Sequence, residues 1–452
     1  MPTARPRLLF RRTPLDRDIL RLAVPSLGAL VAEPVFVLTD TAMVGHLGAP
    51  ALAGLGIAST VLQTAVGLLI FLAYATTPIV ARRLGAGDRP GALSAGVDGL
   101  WLALGLGIVL LATLLPLSPV IVGAFGVEAA VATAALDYLT IAWWGIPGML
   151  LVLAATGVLR GLQDARTPLI VAVAGFTANI ALNAALIYGL GLGVAGSALG
   201  TVIAQWGMAA VLVGLVVRAA RRERTALRPS ALGIRAAGQA GSWLLVRTLS
   251  LRIALVVTVV VAAELGTDEL AATQIWFALY SLLALALDAL AIAGQALIGH
   301  DLGAGNVPRV HAITRRLVGW GVGVGAALMV PLLAATPLLT VAMTNDEGVR
   351  ALIPLAVVTL AVGLPLAGLV FVLDGVLIGA GDGRYLAVTG ILNLIAYLAV
   401  LAIAIGMLST GLAGLFLSFM IGYLAARAVT LGWRARGTRW IVTGATRGAA
   451  GA

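Results

Sequence analysis

Glu33 and Asp40 lie seven positions apart in the stretch EPVFVLTDTAMVGHLG, which is otherwise almost wholly apolar. Seven residues are nearly two helical turns, so in a helix the two carboxylates point the same way. Acids in such a setting can hold a hard cation such as Na⁺, or can take up and release protons. Matching chemistry recurs in later apolar runs: Asn179 and Asn183, one turn apart on one face, the Thr201 hydroxyl, the carboxylates Asp288 and Asp374, and the guanidinium groups of Arg247 and Arg252. One ionised side chain at the centre of a membrane helix costs roughly 2.5–3.5 kcal/mol, so residues of this kind are retained for a reason.

The elements that must position them are membrane helices. The 452 residues are 61% hydrophobic and 11% charged, more apolar surface than a water-soluble core can hide. Twelve apolar segments stand at about 19–44, 52–80, 95–116, 131–159, 169–190, 194–217, 238–262, 270–299, 314–336, 350–378, 386–406 and 411–433, each long enough to cross the hydrocarbon as a helix and unlike the alternating strands of a barrel. The expected fold is an all-α integral membrane protein. All 29 basic residues are Arg. They fall before the first segment (Arg5, Arg7, Arg11, Arg12, Arg17), then in alternate loops (Arg82, Arg83, Arg89; Arg160, Arg166; Arg218 to Arg235; Arg309, Arg315, Arg316; Arg384) and in the tail from Arg427, whereas the intervening loops hold only Arg350. The positive-inside rule then puts both termini in the cytoplasm, and the net charge of +10 becomes a topology signal with no nucleic-acid partner implied.

Enzyme chemistry is poorly represented. There is no Cys, which excludes disulfides and thiol chemistry. His46, His300 and His311 are read as loop residues, and no P-loop, HExxH or GxSxG run has supporting context. Asp164 and Asp382, each in a D-x-R turn, read as caps and loop pairs. No cofactor is expected, and transport by this chain must draw on an ion gradient.

An internal repeat organises the chain. LGAGD at Leu84 to Asp88 recurs as LGAGN at Leu302 to Asn306, an offset of 218. The same offset lays HLGAPALA (His46 to Ala53) on ELGTDELA (Glu264 to Ala271) and TGVLRGLQDAR (Thr156 to Arg166) on DGVLIGAGDGR (Asp374 to Arg384). The predicted organisation is an N-terminal lobe (1–217, six spans), a basic linker (218–237) and a C-terminal lobe (238–452, six spans and a short tail). Parallel repeats of this kind typify alternating-access transporters with a midplane site between the halves. Gly319/Gly323 and Gly321/Gly325 are spaced for close helix packing. The tail from Gly437 reads as disordered.

Counting from span ends, Asp40 lies about six residues from the outer end of its span, Asn183 about seven from the outer end of the fifth, and Thr201 about seven from the outer start of the sixth, at ~1.5 Å per residue. Asp40, Asn179, Asn183 and Thr201 are therefore candidates for an ion-coupling cluster, with H⁺ or Na⁺ as its ion. Pro25 and Pro34 deny the first span a uniform hydrogen-bond ladder and make it a candidate bending element. Similar depth predicts a buried ion pair between Arg247 and Asp288. Glu33, Arg247, Arg252, Asp288 and Asp374 are the remaining substrate or cavity candidates. Four acids against two arginines suit a cationic solute, while Arg252 keeps an anionic one open.

Taken together, TDTAMVGHLGAPALAGLGIAS, VLRGLQDARTPLIV, NIALNAALIYGLGLGVAGSALGTVIAQ, LDALAIAGQALIGHDLGAGN and FVLDGVLIGAGDGR resemble the multidrug and toxic compound extrusion (MATE) family, particularly its DinF branch, over residues 16 to 433. The resemblance implies a two-lobed, twelve-helix antiporter in the bacterial plasma membrane. Such a protein exports organic, often cationic, amphipathic compounds against inward H⁺ or Na⁺. It also implies that Asp40 matches the coupling acid of the first span, that Asn179, Asn183 and Thr201 match further site positions, and that the partners are a small-molecule substrate and the bilayer, the chain working as a monomer. Asn183 stands where an Asp is frequent, which favours H⁺ over Na⁺, and Arg247 stands where other branches carry an acid. Competing readings are an organic-anion exporter of the same fold, a flippase for a lipid-linked precursor, and a receptor or assembly scaffold without flux.

Overall fold

The computed structural model describes residues 13–446 and is built of helices, with no strand among the described residues. Twelve are long and apolar enough to cross a membrane: α1 Pro14–Gly45, α2 Ala49–Gly85, α3 Arg89–Gly123, α4 Ala129–Gly161, α5 Arg166–Gly189, α6 Gly193–Arg222, α7 Ala231–Leu265, α8 Thr267–Gly303, α9 Val307–Ala334, α10 Glu347–Gly379, α11 Gly383–Met407 and α12 Gly411–Arg436. Each expected apolar segment matches one of them, with 169–190 and 314–336 running one and two residues past the ends of α5 and α9. The helices overrun the segments because polar residues, Arg among them, continue the backbone ladder beyond the apolar stretch. His300 and His311 accordingly sit within α8 and α9, not in loops. Arg5, Arg7, Arg11 and Arg12 lie outside the described residues.

The repeat is written into the backbone as well as the side chains. Gly87 and Gly305, offset by 218, take φ of 79° and 71°, and the next residues, Asp88 and Asn306, cap the following helices through Gly91 N (2.8 Å) and Arg309 N (3.2 Å). Gln163 and Gly381 share the left-handed region at φ 67° and 71°. The π-helical turn Ala184–Gly189 that ends α5 recurs as Ala402–Met407 at the end of α11. A further π-helical turn, Phe419–Ala425, interrupts α12, while its repeat partner α6 is continuous. In α4 a 3₁₀ turn at Trp143–Gly145 precedes Pro147, whose ring offers no N–H to the Trp143 carbonyl.

Two compact units result. One comprises Gly28–Gly241; the other joins residues 13–27 to residues 242–446. The unit boundary therefore falls inside α1, between Leu27 and Gly28, and between Pro25 and Pro34; the backbone remains helical throughout. In the first unit α4 packs against α2, α3 and α6; in the second its repeat partner α10 packs against α8 and α9. Over their most apolar stretches α4 is 67% buried against 17% for α3, and α10 and α12 are each 56% buried against 22% for α9, so α4 forms the centre of the first unit and α10 with α12 that of the second. Gly321 and Gly325 let α9 lie directly on α10, where a Cβ would meet the carbonyl oxygens of Gly368 and Leu364; Gly323 faces open space.

The stretch after α12 departs from the expected disorder over its first part. Trp440 is fully buried and donates Nε1–H to the Ala435 carbonyl (3.3 Å), and Gly444 N donates to the Leu302 carbonyl (3.0 Å). One large indole surface removed from water outweighs the polar character of its neighbours. Residues 447–452 lie outside the described residues.

Candidate functional site: a carboxylate held by neutral donors

In the unit Gly28–Gly241, helix α1 carries Asp40 into a buried position, 6% exposed. Asn183 Nδ2 donates to Asp40 Oδ1 at 2.7 Å and Ser197 Oγ donates to the same oxygen at 2.6 Å. Both donors converge on Oδ1, and Oδ2 has no donor among the described residues. One turn before Asn183, Asn179 Nδ2 donates to Thr201 Oγ1 at 3.2 Å. The phenol of Tyr138, 5% exposed on α4, interacts with the Thr201 and Ser197 hydroxyls. The π-helical turn starts at Ala184, immediately after Asn183, a placement common where a helix must re-aim a side chain.

The carbonyl-type oxygens of Asn179 and Asn183 are buried with no donor. Buried acceptors are rarely left so, and those that are call for an explanation. Together with Asp40 and the Thr201 hydroxyl they form a set of hard oxygens competent for Na⁺, or a single carboxylic acid set among neutral dipoles. Among the described residues no three His, Cys, Asp or Glu side chains converge, so the negative charge of this cluster comes from Asp40.

The four residues singled out for ion coupling thus lie together. Ser197 and Tyr138 were not anticipated. Ser197 had a signal, since it precedes Thr201 by four positions and shares its helix face; Tyr138 had none beyond its hydroxyl. Glu33 and Asp40, expected to point the same way, differ in setting: Glu33 is exposed and Asp40 buried. The direction of a helix face is set by period, but what covers that face changes along its length. Pro25 is buried and Pro34 exposed.

The second unit carries a different centre. Asp374 accepts from Arg247 Nε at 3.0 Å, is paired at its other oxygen by Arg247 Nη2, and accepts from Arg427 Nη2 at 2.6 Å. Arg247 lies on Asp374, an acid that the depth count did not single out for it, because matched depth does not specify which of several inward acids a guanidinium meets. Arg427, read as the start of a basic tail, is instead 8% exposed on α12, with its guanidinium 5.8 Å from the Tyr423 ring centre. Asp288 is half-buried, and the Tyr280 phenol is within electrostatic reach of Arg427, Asp288 and Arg247. Arg252 is exposed on α7 and has no ion-pair partner among the described residues. Asp164 caps α5 through Arg166 N and Thr167 N (both 3.0 Å), and Asp382 pairs with Arg434 (2.7 Å).

The offset of 218 lays Asp40, Asn179, Asn183, Ser197 and Thr201 on Thr258, Tyr397, Leu401, Leu415 and Phe419. At those positions Thr258 Oγ1 meets the Tyr397 hydroxyl (2.7 Å), and Phe419 packs edge-on against Tyr397 (5.9 Å) beside a Trp276 stacked between Tyr280 and Phe416 (5.4 and 5.5 Å). One place in the repeat is polar in the first unit and aromatic in the second.

The MatE family model matches residues 25–185 and again 245–408, once in each half of the repeat. The chain belongs to the MATE family. It is similar to Protein DETOXIFICATION 43 of Arabidopsis thaliana, 28% identical over 486 residues that cover 94% of this chain and 91% of that one. It is also similar to DNA damage-inducible protein F of Escherichia coli (strain K12), 30% identical over 379 residues covering 81% of each. Among solved structures, the Vibrio cholerae MATE transporter VcmN in its bent form superposes with a TM-score of 0.86 at 20% identity, covering 94% of this chain and 97% of that one, a likeness of fold. As a MATE-family protein the chain is a transporter and not an enzyme.

Proposed function

We propose that this MATE transporter is a multidrug exporter that moves organic, cationic and amphipathic compounds out of a bacterial cell in exchange for H⁺. It would do so by alternating access, as a monomer in the plasma membrane with both termini cytoplasmic. The observation that carries the reading is the arrangement at Asp40: two donors on Oδ1 and, among the described residues, none on Oδ2 and no second acid within the cluster. A proton arriving at Oδ2 converts the acceptor of Asn183 and Ser197 into a weaker one, which loosens α1 from α5 and α6. Loss of that proton restores both bonds. A ligand that binds the two states differently shifts the equilibrium by that difference and no more. The prolines of α1 make it the helix best able to express the change as a bend.

A cationic solute is supported by the charges of the second unit. Arg247 and Arg427 are taken up by Asp374, with Asp288 near the same Tyr280, so these four side chains cancel formally; an anionic solute would depend on Arg252. A second reading, exchange for Na⁺, is supported by the two donorless carboxamide oxygens. Proteoliposome efflux of a cationic dye under a proton gradient, and separately under a sodium gradient, tests the reading. Proton-driven flux that vanishes in Asp40→Asn is the expected result; flux driven by sodium alone, or flux indifferent to Asp40→Asn, overturns it.

A further inference from the structure

Helix α6 leaves the membrane through a stripe that changes character within four turns. Val211 and Leu215 are exposed apolar residues at 51% and 39%, and Arg218 and Arg222 follow on the same face at spacings of three and four. Beside them a cleft of about 300 Å³ is lined by Arg89, Leu215, Arg218, Ala219, Arg222 and Glu223. Arg89 Nε pairs with Glu223 at 2.9 Å, so one guanidinium is neutralised and held in place. Arg218 and Arg222 are exposed and have no ion-pair partner among the described residues. The lining carries three guanidinium groups against one carboxylate, and Asp88, the residue before Arg89, caps α3.

We propose that this cleft binds the phosphate of an anionic phospholipid. Arg218 and Arg222 would hold the phosphate by charge-assisted hydrogen bonds, while an acyl chain lies along Val211 and Leu215. Guanidinium forks suit phosphate oxygens, and basic pockets between membrane helices at the Arg-rich side are a recurrent headgroup setting. Soluble phosphate would use the arginines but has no use for the apolar stripe, which is why the lipid is the favoured source of that chemistry. The cleft lies wholly within the unit Gly28–Gly241 and is separate from Asp40, so the proposal does not depend on the coupling ion.

The test is thermal unfolding of the full-length detergent-purified chain titrated with phosphatidylglycerol, with phosphatidylcholine of the same acyl length, and with inorganic phosphate. The expected result is a saturable rise in Tm with phosphatidylglycerol only, and an apparent affinity at least fivefold weaker in Arg218→Gln/Arg222→Gln. Arg436→Gln, which removes an exposed arginine from the other unit, should leave that affinity unchanged. Equal stabilisation by phosphatidylcholine, equal stabilisation by inorganic phosphate, an unaltered double variant, or an equal loss in Arg436→Gln each overturns the proposal. Both substituted arginines are at the surface, so the double variant is expected to fold, and its Tm without lipid checks this.

Discussion

Asn183 donates its carboxamide hydrogen to Asp40 across 143 positions of chain. A neutral partner holds the acid without supplying a positive charge, and this separates Asp40 from Asp374, which is gripped by two guanidinium groups. On the proposed reading one carboxylate changes charge while its neighbours stay intact. The other is committed to its salt bridges. On the proposed reading the two units divide their labour, and three substitutions, Ser197→Ala, Asp374→Asn and Arg427→Met, examine that division.

Ser197→Ala removes one of two hydrogen bonds to a carboxylate, and bonds to charged groups contribute about 1.5–3 kcal/mol. Stability in detergent should fall by that order, and the pH profile of efflux should move, because one of the two groups that discriminate charged from protonated Asp40 is gone. An unmoved profile would remove Ser197 from the coupling network. Thermal unfolding and dye efflux at several pH values measure the two effects.

At Asp374 a neutral residue leaves the buried Arg427 and the part-buried Arg247 guanidinium groups without their shared carboxylate. Breaking a buried ion pair by removing one partner costs about 3–5 kcal/mol, so Asp374→Asn should express poorly or lose most of its thermal stability. Arg427→Met should cost less, since Arg247 still neutralises the acid. If Arg427→Met proves the worse of the two, the triad is not the electrostatic unit described. Expression level and Tm of the purified variants decide it.

Asp16, at the start of α1, accepts from Arg316 Nε (2.5 Å), Arg316 Nη2 (2.7 Å) and Trp320 Nε1 (2.7 Å), which ties the first turns of the helix to α9. Asp16→Ala should raise amide hydrogen exchange across residues 14–27 by about tenfold or more, the equivalent of ~1.4 kcal/mol of lost protection, while residues 28–45 change little because they belong to the other unit. A uniform rise along all of α1 would contradict that boundary. Peptide-level hydrogen exchange reads both stretches.

Gln163 occupies the left-handed backbone region that its repeat partner Gly381 enters freely. Left-handed backbone at a non-glycine residue costs on the order of 1 kcal/mol, so Gln163→Gly should be neutral or stabilising by about 0.5–1 kcal/mol, whereas Gly381→Gln should destabilise by a similar amount. Tm shifts of opposite sign are the expected observation. Shifts of the same sign would mean that the side chain of Gln163, and not its φ, dominates at that turn.

Much of the fold is legible in the chain because its causes are local. A stretch such as 95–116 crosses a membrane on composition and length alone, and LGAGD with LGAGN marks the repeat because both glycines face the same backbone demand. The grouping of Asp40, Asn179, Asn183 and Thr201 follows from depth, since spans of known direction put residues at countable levels. Depth is one coordinate only. Arg247 and Asp288 share it and yet Arg247 meets Asp374, and Arg427 looks like tail until α12 turns it inward.

From the chain alone come the spans, their Arg-biased ends, the duplicated half and the set of acids within apolar runs, because hydropathy, charge and period are properties of neighbours in sequence. Azimuth around each helix and the choice of partner belong to the folded arrangement. They depend on which faces α4 and α10 draw inward, and so packing, not order along the chain, leaves Asp40 among neutral donors, seals Asp374 with arginine, and places the division between units within α1.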